Sequence, residues 1–554
     1  VKVDAPGQRS QNKATPYQLP SPIGGLNARD ALANMDEKDA IILDNWFCQP
    51  TWVEFRKGEN MLATFSGNAE TVMGYSGIKT VGQFLFAAIN NGGTYGIYRV
   101  DNAGGGSPGA AVMGGPGNTL QQLHSAYFDY NQFGSGSQEF LWALNASGQD
   151  LPALFDGSTW NAVASVGGTY QLTGGPAGGT DAGLKTLSQA AVYKQRLWFL
   201  QDGTFQVWYL PQLQASGALT QLNLAADFKL GGYIIAMVAV SVDNSAGLQD
   251  FMAFCSSMGE VVVYQGYDPA SVTTWSISAH FVMGRLLAPG RKGWTKVGAD
   301  ALLLTVDGVV LISQAMLTDR STTRQAVTDK IRLGVSEQIQ IYGNAQGWQL
   351  QLYPFGTKIL LQNPTSNTLG TSFLWVQNTL SGAWSTYGLK SSSWNTFCLE
   401  MLGDNLYAGQ AGAVNQVDTG LDDNGSAITF WVQPAFSQHG APGQNKRWTM
   451  FQPIFRVNGS MQLSLKLNVD FDPTAPTSTI PLSAGNLSPW NTSLWSTPTF
   501  WGDATIILKP WLGLAGEGSY GAVQMRISAS NLTCQWMSAT YLHERGGVFY
   551  GNAT

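Results

Sequence analysis

The sequence predicts an all-β protein: a six- or seven-bladed β-propeller with an N-terminal arm and short helix before it and a C-terminal β-sandwich-like domain after it. Three observations lead there. Apolar strands joined by tight glycine turns recur at a near-constant step through the middle of the chain. Charged residues make up only 12%, beside 65 glycines and 19 tryptophans, where about 25% charged is usual. Near the C-terminus, twelve residues alternate apolar and polar side chains without a fault. A chain of 554 residues exceeds what one core commonly holds, so several domains are expected. The boundaries fall at 1–60 for a docking element, 61–425 for the propeller and 426–554 for an antiparallel β domain.

Residues 1 to about 23 are rich in Pro, Gln and Ser and have no period, which reads as an extended arm that takes its order from whatever it lies against. The stretch "GGLNARDALANMDEKDAIILDNWFCQPTWVEFRKG" follows, from Gly24 to Gly58. Within it Asp36 suits a helix N-cap, Glu37 and Asp39 place negative charge in the first turn, and Ala40, Ile41, Leu43 and Trp46 supply one short apolar face. A short helix is therefore expected, and "TWVEFRKG" alternates as a strand. Arm, helix and strand are too small to fold alone. They read as a docking element, with Leu26, Asn27, Arg29, Asp36, Ile41 and Trp46 as candidate interface residues.

From about 70 to 420 each segment is a hairpin signal, as in "QFLFAAINNGGTYGIYRVD" and "AVYKQRLWFLQDGTFQVWYLP". Taking one glycine from each, Gly92, Gly148, Gly203, Gly259, Gly308, Gly356 and Gly412 are separated by 56, 55, 56, 49, 48 and 56 residues. Units of that size, made of strands and without long helices, stack radially, because one small sheet exposes two apolar faces and its neighbours cover both. The last hairpin can share a sheet with an N-terminal strand, hence six or seven. One interruption, "TRQAVTDKIRLGVSEQIQIYG", places Val327, Ile331, Val335 and Ile339 four residues apart and predicts a short helix that Gly334 weakens. Beyond 425, "MQLSLKLNVDFD" (Met461 to Asp472), "AVQMRISAS" and "CQWMSATYLHE" read as long half-buried strands. Trp490, Trp495, Trp501 and Trp511 lie between them as core plugs or interface anchors.

A search for chemistry finds little. The four histidines, His124, His280, His439 and His543, match no metal-ligand spacing and read as ordinary core or surface residues. "LFDGSTWNAV" is similar to the Asp box of sialidase propellers, but Asp156, Gly157 and Trp160 are one residue too close, and a blade turn with Trp160 packed on the next sheet is the better reading. "NAGGGSPGAAVMGGPGN" lacks the Lys and Ser/Thr of a nucleotide loop. "VDTGLDDNG" lacks the Glu of a calcium loop. "GRKGWTK" and "NKRW" are short basic clusters that read as solvated loops. No catalytic, cofactor or metal residue is assigned.

The formal charge of -6, from 30 basic and 36 acidic side chains, argues against gripping nucleic acid, although a lumen through which it slides is compatible. Four scattered cysteines, Cys48, Cys255, Cys398 and Cys534, indicate neither zinc nor a disulfide framework, and reduced, cytoplasmic folding is expected. The first residues lack the apolar block of a secretory leader, and the longest apolar run, "YIIAMVAVSV", has ten residues where a membrane span needs about 20, so no membrane insertion is expected.

The opening stretch, with "GGLNARD", "LDNWF" and "EFRKG", resembles the N-terminal region of tail nozzle proteins (tail hub or packaged-DNA stabilisation proteins) of short-tailed bacteriophages. "SSMGEVVVYQGYDPASVTTW", "VQNTLSGAWSTY", "LYAGQAGAVNQVDTG" and the C-terminal "YLHERGGVF" are similar to further segments of that group, so the resemblance runs from about 20 to 549 in order. It implies a structural virion protein, not an enzyme and without cofactors. It implies a homohexameric ring below the portal, partnered by the tail adaptor and by tip, needle or fibre proteins. The ring would continue the channel for duplex DNA without reading its sequence, retain and release the genome, and be assembled in the host cytoplasm. The alternative is a carbohydrate-binding or sialidase-like glycan-cleaving propeller.

Overall fold

The computed structural model describes residues 14–77, 82–115, 121–145, 147–244, 247–271, 273–287, 292–317, 326–364, 372–388, 396–482 and 505–546. The chain divides into two compact units. A propeller unit comprises Gly58–Gln377 and Gly388–Thr419; a terminal unit gathers Val1–Lys57, Asn378–Tyr387 and Gly420–Thr554.

In the propeller unit the alternating segments form antiparallel sheets in chain order, five of them lying wholly within the unit as blades. The first has six strands, joining Glu59–Ser76, Gln83–Asn91, Thr94–Arg99 and Met113–Gly114 to Thr396–Leu402 and Asn405–Val417 from the far end of the unit. The second begins at Asp129–Gly134, the third at Leu187–Tyr193 and the fourth at Ile234–Asn244, each with four strands, and the fifth has three, Trp294–Val297, Asp300–Thr305 and Gly308–Leu311.

The expected six or seven blades are thus corrected to five, for a reason in the pairing. The hairpins holding Gly92 and Gly412 belong to one sheet, because Asn405–Val417 pairs with Glu59–Ser76 through Ala413↔Thr64 and Val417↔Glu59. Gly412 is not in a turn; it sits at φ +78° within a register shift between Ala411 and Ala413. The Gly356 hairpin, Gln349–Tyr353 with Lys358–Pro364, belongs to a sheet outside the five. Gly259, by contrast, meets its expectation: φ is +82° in the turn between strands, and a Cβ there would stand 2.4 Å from the Met283 carbonyl.

Aromatic side chains fill the space between successive blades. Phe86 of the first blade meets Phe155 and Trp160 of the second at 4.8 and 5.2 Å, Trp142 meets Phe199 of the third edge-on at 5.0 Å, and Trp198 stacks on Trp275 of the fourth at 5.5 Å. Rings of this area contribute most of the apolar burial that holds neighbouring sheets together. The predicted helix is present as Arg332–Tyr342 after a 3₁₀ turn at Asp329–Ile331, with Ile331, Val335 and Ile339 buried as the four-residue spacing requires.

In the terminal unit, both ends of the chain share one sheet. Its strand order is Ile506–Leu508, Lys446–Val457, Cys534–Arg545, Val53–Phe55 and Trp46–Cys48; Thr15–Pro20 also pairs with Cys534–Arg545, and Leu512–Gly518 with Lys446–Val457. A second run of strands places Asp39–Asp44 beside Ile428–Pro434, followed by Gly521–Ala529, Met461–Val469 and Thr479–Leu482.

The helix expected after Asp36 is corrected to a strand, Asp39–Asp44. Its β-branched Ile41 and Ile42 lie in a segment with hydrogen-bonded neighbours on both sides, through Leu43↔Val432 and Asp44↔Thr386, and such pairing outweighs the weak propensity of a three-turn helix. The cap signal survives as an Asx turn, in which Asp36 Oδ1 accepts from the Lys38 amide at 2.9 Å. Met461–Val469 alternates in burial as expected through Leu467, but Asn468 is buried and Val469 half-buried, and the strand stops before Phe471, where Asp470 and Phe471 adopt φ of 48° and 68°. Trp490, Trp495 and Trp501 lie outside the described residues, while Trp511 is 45% exposed.

Candidate functional site

The six residues singled out as a docking surface are spread through the terminal unit. Leu26 and Trp46 are buried in its core, Trp46 against Phe55, Phe430 and Trp536 at ring distances of 4.7, 6.1 and 6.3 Å. Asn27, also buried, donates to Asp39 at 2.7 Å and Asp30 at 2.8 Å while its carbonyl accepts the amides of Arg29 and Asp30, so it ties the loop to the strand. Ile41 is half-buried. Arg29, paired with Asp30 at 2.8 Å, and Asp36 are exposed.

A polar cluster of another kind lies in the propeller unit, where Tyr130, Lys292 and Glu400 meet. Tyr130 lies on Asp129–Gly134, Lys292 precedes Trp294–Val297, and Glu400 is the one charged side chain in the apolar strand Thr396–Leu402. The Tyr130 hydroxyl donates to Glu400, the Lys292 ammonium lies 3.3 Å from the same carboxylate, and that ammonium sits 3.3 Å over the Tyr130 ring. The amide of Gly74 also donates to Glu400 at 3.3 Å. Burial, then the Glu400 charge and its hydrogen bond, hold the Tyr130 phenol well above its ordinary value, so it stays a donor.

Cys398 borders the same cavity, which also touches Glu70, Trp348 and Gln349. Burial pushes its thiol up to about 12, which leaves no thiolate for nucleophilic attack at neutral pH. The cavity measures ≈ 20 Å³, room for one water molecule and not for an organic substrate. A paired carboxylate, a protonated phenol and an inert thiol make a clasp between segments remote in sequence.

Side-chain amides reinforce it. Gln349 donates to the Leu399 carbonyl at 2.6 Å and accepts from the Leu399 amide at 2.8 Å. Gln132 does the same to Ser76, at 2.6 and 3.0 Å, and Gln189 to Met237, at 3.4 and 2.9 Å. Each glutamine satisfies, with two bonds, a backbone amide and carbonyl of a strand in another sheet.

The other residues that the sequence brings forward for chemistry take structural roles here. Asp156 closes a turn, accepting the Ser158 and Thr159 amides at 3.0 and 2.8 Å; burial opposes its ionisation, but those bonds prevail and hold the carboxyl below its ordinary value. Trp160 packs on Phe86 of the adjacent blade, as expected of a blade turn. Lys292 and Lys446, expected in solvated loops, are corrected: Lys292 is in the clasp, and Lys446 is fully buried. Asp418 of "VDTGLDDNG" pairs with Lys358, and Asp423 with Arg56 at 2.6 Å. His124 and His280 each hold a buried carboxylate, Asp150 at 2.7 Å and Glu260 at 2.6 Å. Among the described residues no cluster of three or more His, Cys, Asp or Glu is arranged to hold a metal, and no helix is long and apolar enough to cross a membrane.

No family model and no curated protein matches the chain. Solved structures do. YCF48 from Cyanidioschyzon merolae is 10% identical, with 65% of this chain and 98% of that one covered and a TM-score of 0.36. An exo-β-1,3-galactanase from Phanerochaete chrysosporium is 10% identical over 76% and 97%, with a TM-score of 0.25. The Cps50 (Swd1) β-propeller domain from Myceliophteria thermophila is 12% identical over 65% and 99%, with a TM-score of 0.34. Likenesses at that level say nothing about activity. By its own hydrogen-bonded sheets, the chain is an all-β protein built on a five-bladed β-propeller.

Proposed function

We propose that the chain is a structural virion protein, the tail nozzle of a short-tailed bacteriophage, forming a hexameric ring that continues the DNA channel below the portal and adaptor. The observation that carries this reading is where the motifs fall. The opening stretch and the strand that carries the closing "YLHER", nearly the whole chain apart in sequence, belong to one sheet: Val53–Phe55 bonds to Cys534–Arg545 at Gln535 and Trp536. The first and last of the segments that carry the resemblance thus share one compact unit, suited to docking on an adaptor, while those around Ser256–Trp275 and Leu406–Thr419 lie in the propeller unit. Low charge density also favours permanent subunit contacts, since neutral groups cost less to desolvate than ions. A ring of negative subunits would let a polyanion pass without trapping it.

Light scattering after size-exclusion chromatography, alone and with a purified portal–adaptor complex, tests the proposal. A ring, or one assembled on the adaptor, is expected; a monomer that ignores the complex overturns it. A second reading, carbohydrate binding, draws on a shallow groove where Tyr267, 57% exposed, stands among Gln249, Gln265, Thr273 and Ser276. Binding or cleavage of sialosides by the monomer would favour it instead.

A further inference from the structure

In the terminal unit, His439 and His543, far apart in sequence, come to 6.3 Å between ring centroids with 1% and 0% of their surface exposed. All four ring nitrogens lack a hydrogen-bond partner among the described residues. His439 is further constrained by a left-handed backbone, φ 45°, and is enclosed by Tyr541 at 4.3 Å, Trp448 at 5.6 Å and Tyr17 at 5.7 Å. Tyr17 comes from Thr15–Pro20, a six-residue strand that among the described residues is bound along one side only, where Thr15 faces His543 and Tyr17 faces Tyr541.

The charges around the pair are mostly positive. Lys446 is fully buried and, among the described residues, its ammonium donates to the carbonyls of Gln444 and Ser519 alone, at 2.8 and 2.9 Å; Arg545 is its cross-strand neighbour. The facing acids are Glu37, which accepts from Tyr17 at 3.2 Å and from Ser437, and Asp470, which attracts Lys446. A proton on either imidazole would add a second or third cation to a buried space already holding one.

We propose that His439 and His543 form a proton-operated latch on the N-terminal strand: neutral, they hold Thr15–Pro20 closed; protonated, they release it. The inference is independent of the nozzle reading. Burial, then the neighbouring His543 and Lys446, bring His439 down to about 3, and burial also lowers His543. Both therefore bind protons better in the open form, whose imidazoles titrate near 6.5. Closure is complete above that value and weakens as pH falls below it, by about tenfold in the opening equilibrium per pH unit for each histidine.

Hydrogen–deuterium exchange of the full chain at pH 7.5, 6 and 5, corrected for intrinsic rates, reads the latch directly. Peptides covering 15–20 and 534–545 lose protection on acidification, while those covering 251–266 keep it. In His439→Asn/His543→Phe, chosen because asparagine tolerates the left-handed backbone, protection of 15–20 no longer depends on pH. Wild-type protection of 15–20 that is flat from pH 7.5 to 5 overturns the latch, as does an unchanged pH dependence in the double variant. If that variant does not fold, His543→Phe alone decides: with one titrating imidazole left, protection of 15–20 falls less steeply with pH than in the wild type, and an unchanged steepness overturns the proposal.

Discussion

The two units enclose lysines in opposite ways, Lys292 half-buried and Lys446 fully buried. In the propeller unit Lys292 meets a carboxylate, a ring and, through Glu400, a phenol and a backbone amide. In the terminal unit Lys446 meets two carbonyls, with Arg545 and two unpartnered histidines nearby. Desolvation opposes both; only the first is offset by a counter-charge in contact. The first cluster therefore stabilises its fold at any moderate pH, and the second is tolerated only while its imidazoles stay neutral.

The largest effect should come from Glu400→Ala. It leaves the Lys292 ammonium, the Tyr130 hydroxyl and the Gly74 amide without their shared acceptor in a site that is 26% exposed at the lysine and 13% at the glutamate. The expected loss is about 3 kcal/mol, at the lower end for breaking a buried pair because solvent reaches the lysine. Urea denaturation followed by tryptophan fluorescence measures it. A loss below about 0.5 kcal/mol would mean that the clasp is no more than a surface ion pair.

Gln349→Leu comes next. The Leu399 amide and carbonyl lose the buried side chain that serves both, at a cost of about 2 kcal/mol. Gln349→Glu should recover part of this, since the acceptor remains and the donor is lost. Equal urea midpoints for the leucine variant and the wild type would show that water replaces the amide.

What is legible in the sequence follows from the range of each interaction. Hairpins, turn glycines, the helix at Arg332–Tyr342 and the alternating strand at Met461–Val469 are local matters of period and backbone conformation, and they can be read directly. The strand at Asp39–Asp44 cannot, because its partners near Val432 and Thr386 lie hundreds of residues away and override a correct local cap signal. The blade count fails for the same reason: a hairpin announces itself locally, but which hairpins share a sheet does not. Of the clasp, Lys292 stands out in the sequence only as part of a short basic loop. The stronger signal is Glu400, a lone acid inside "TFCLEML", which an apolar strand keeps only if something nearby neutralises it. The histidine pair leaves no such trace, since each imidazole is unremarkable until the fold sets it beside the other.

The smallest expected change distinguishes the two lysines most sharply. Lys446→Met removes a charge that has no carboxylate in contact and keeps the aliphatic stem that fills the space. Replacing a buried charge by an apolar residue of similar shape is often neutral or favourable. Here the Gln444 and Ser519 carbonyls lose a donor, which opposes the gain, so the net change at pH 7.5 should lie between zero and about 1 kcal/mol of stabilisation. Lys292→Met should instead destabilise, because it strands the Glu400 carboxylate in a confined site. Opposite signs for the same substitution, measured by urea titration, would show that a buried lysine stabilises through its counter-charge rather than its stem. Equal losses at both positions would show that Lys446 is held by its carbonyls as firmly as Lys292 is by its acid, and the contrast between the units would fail.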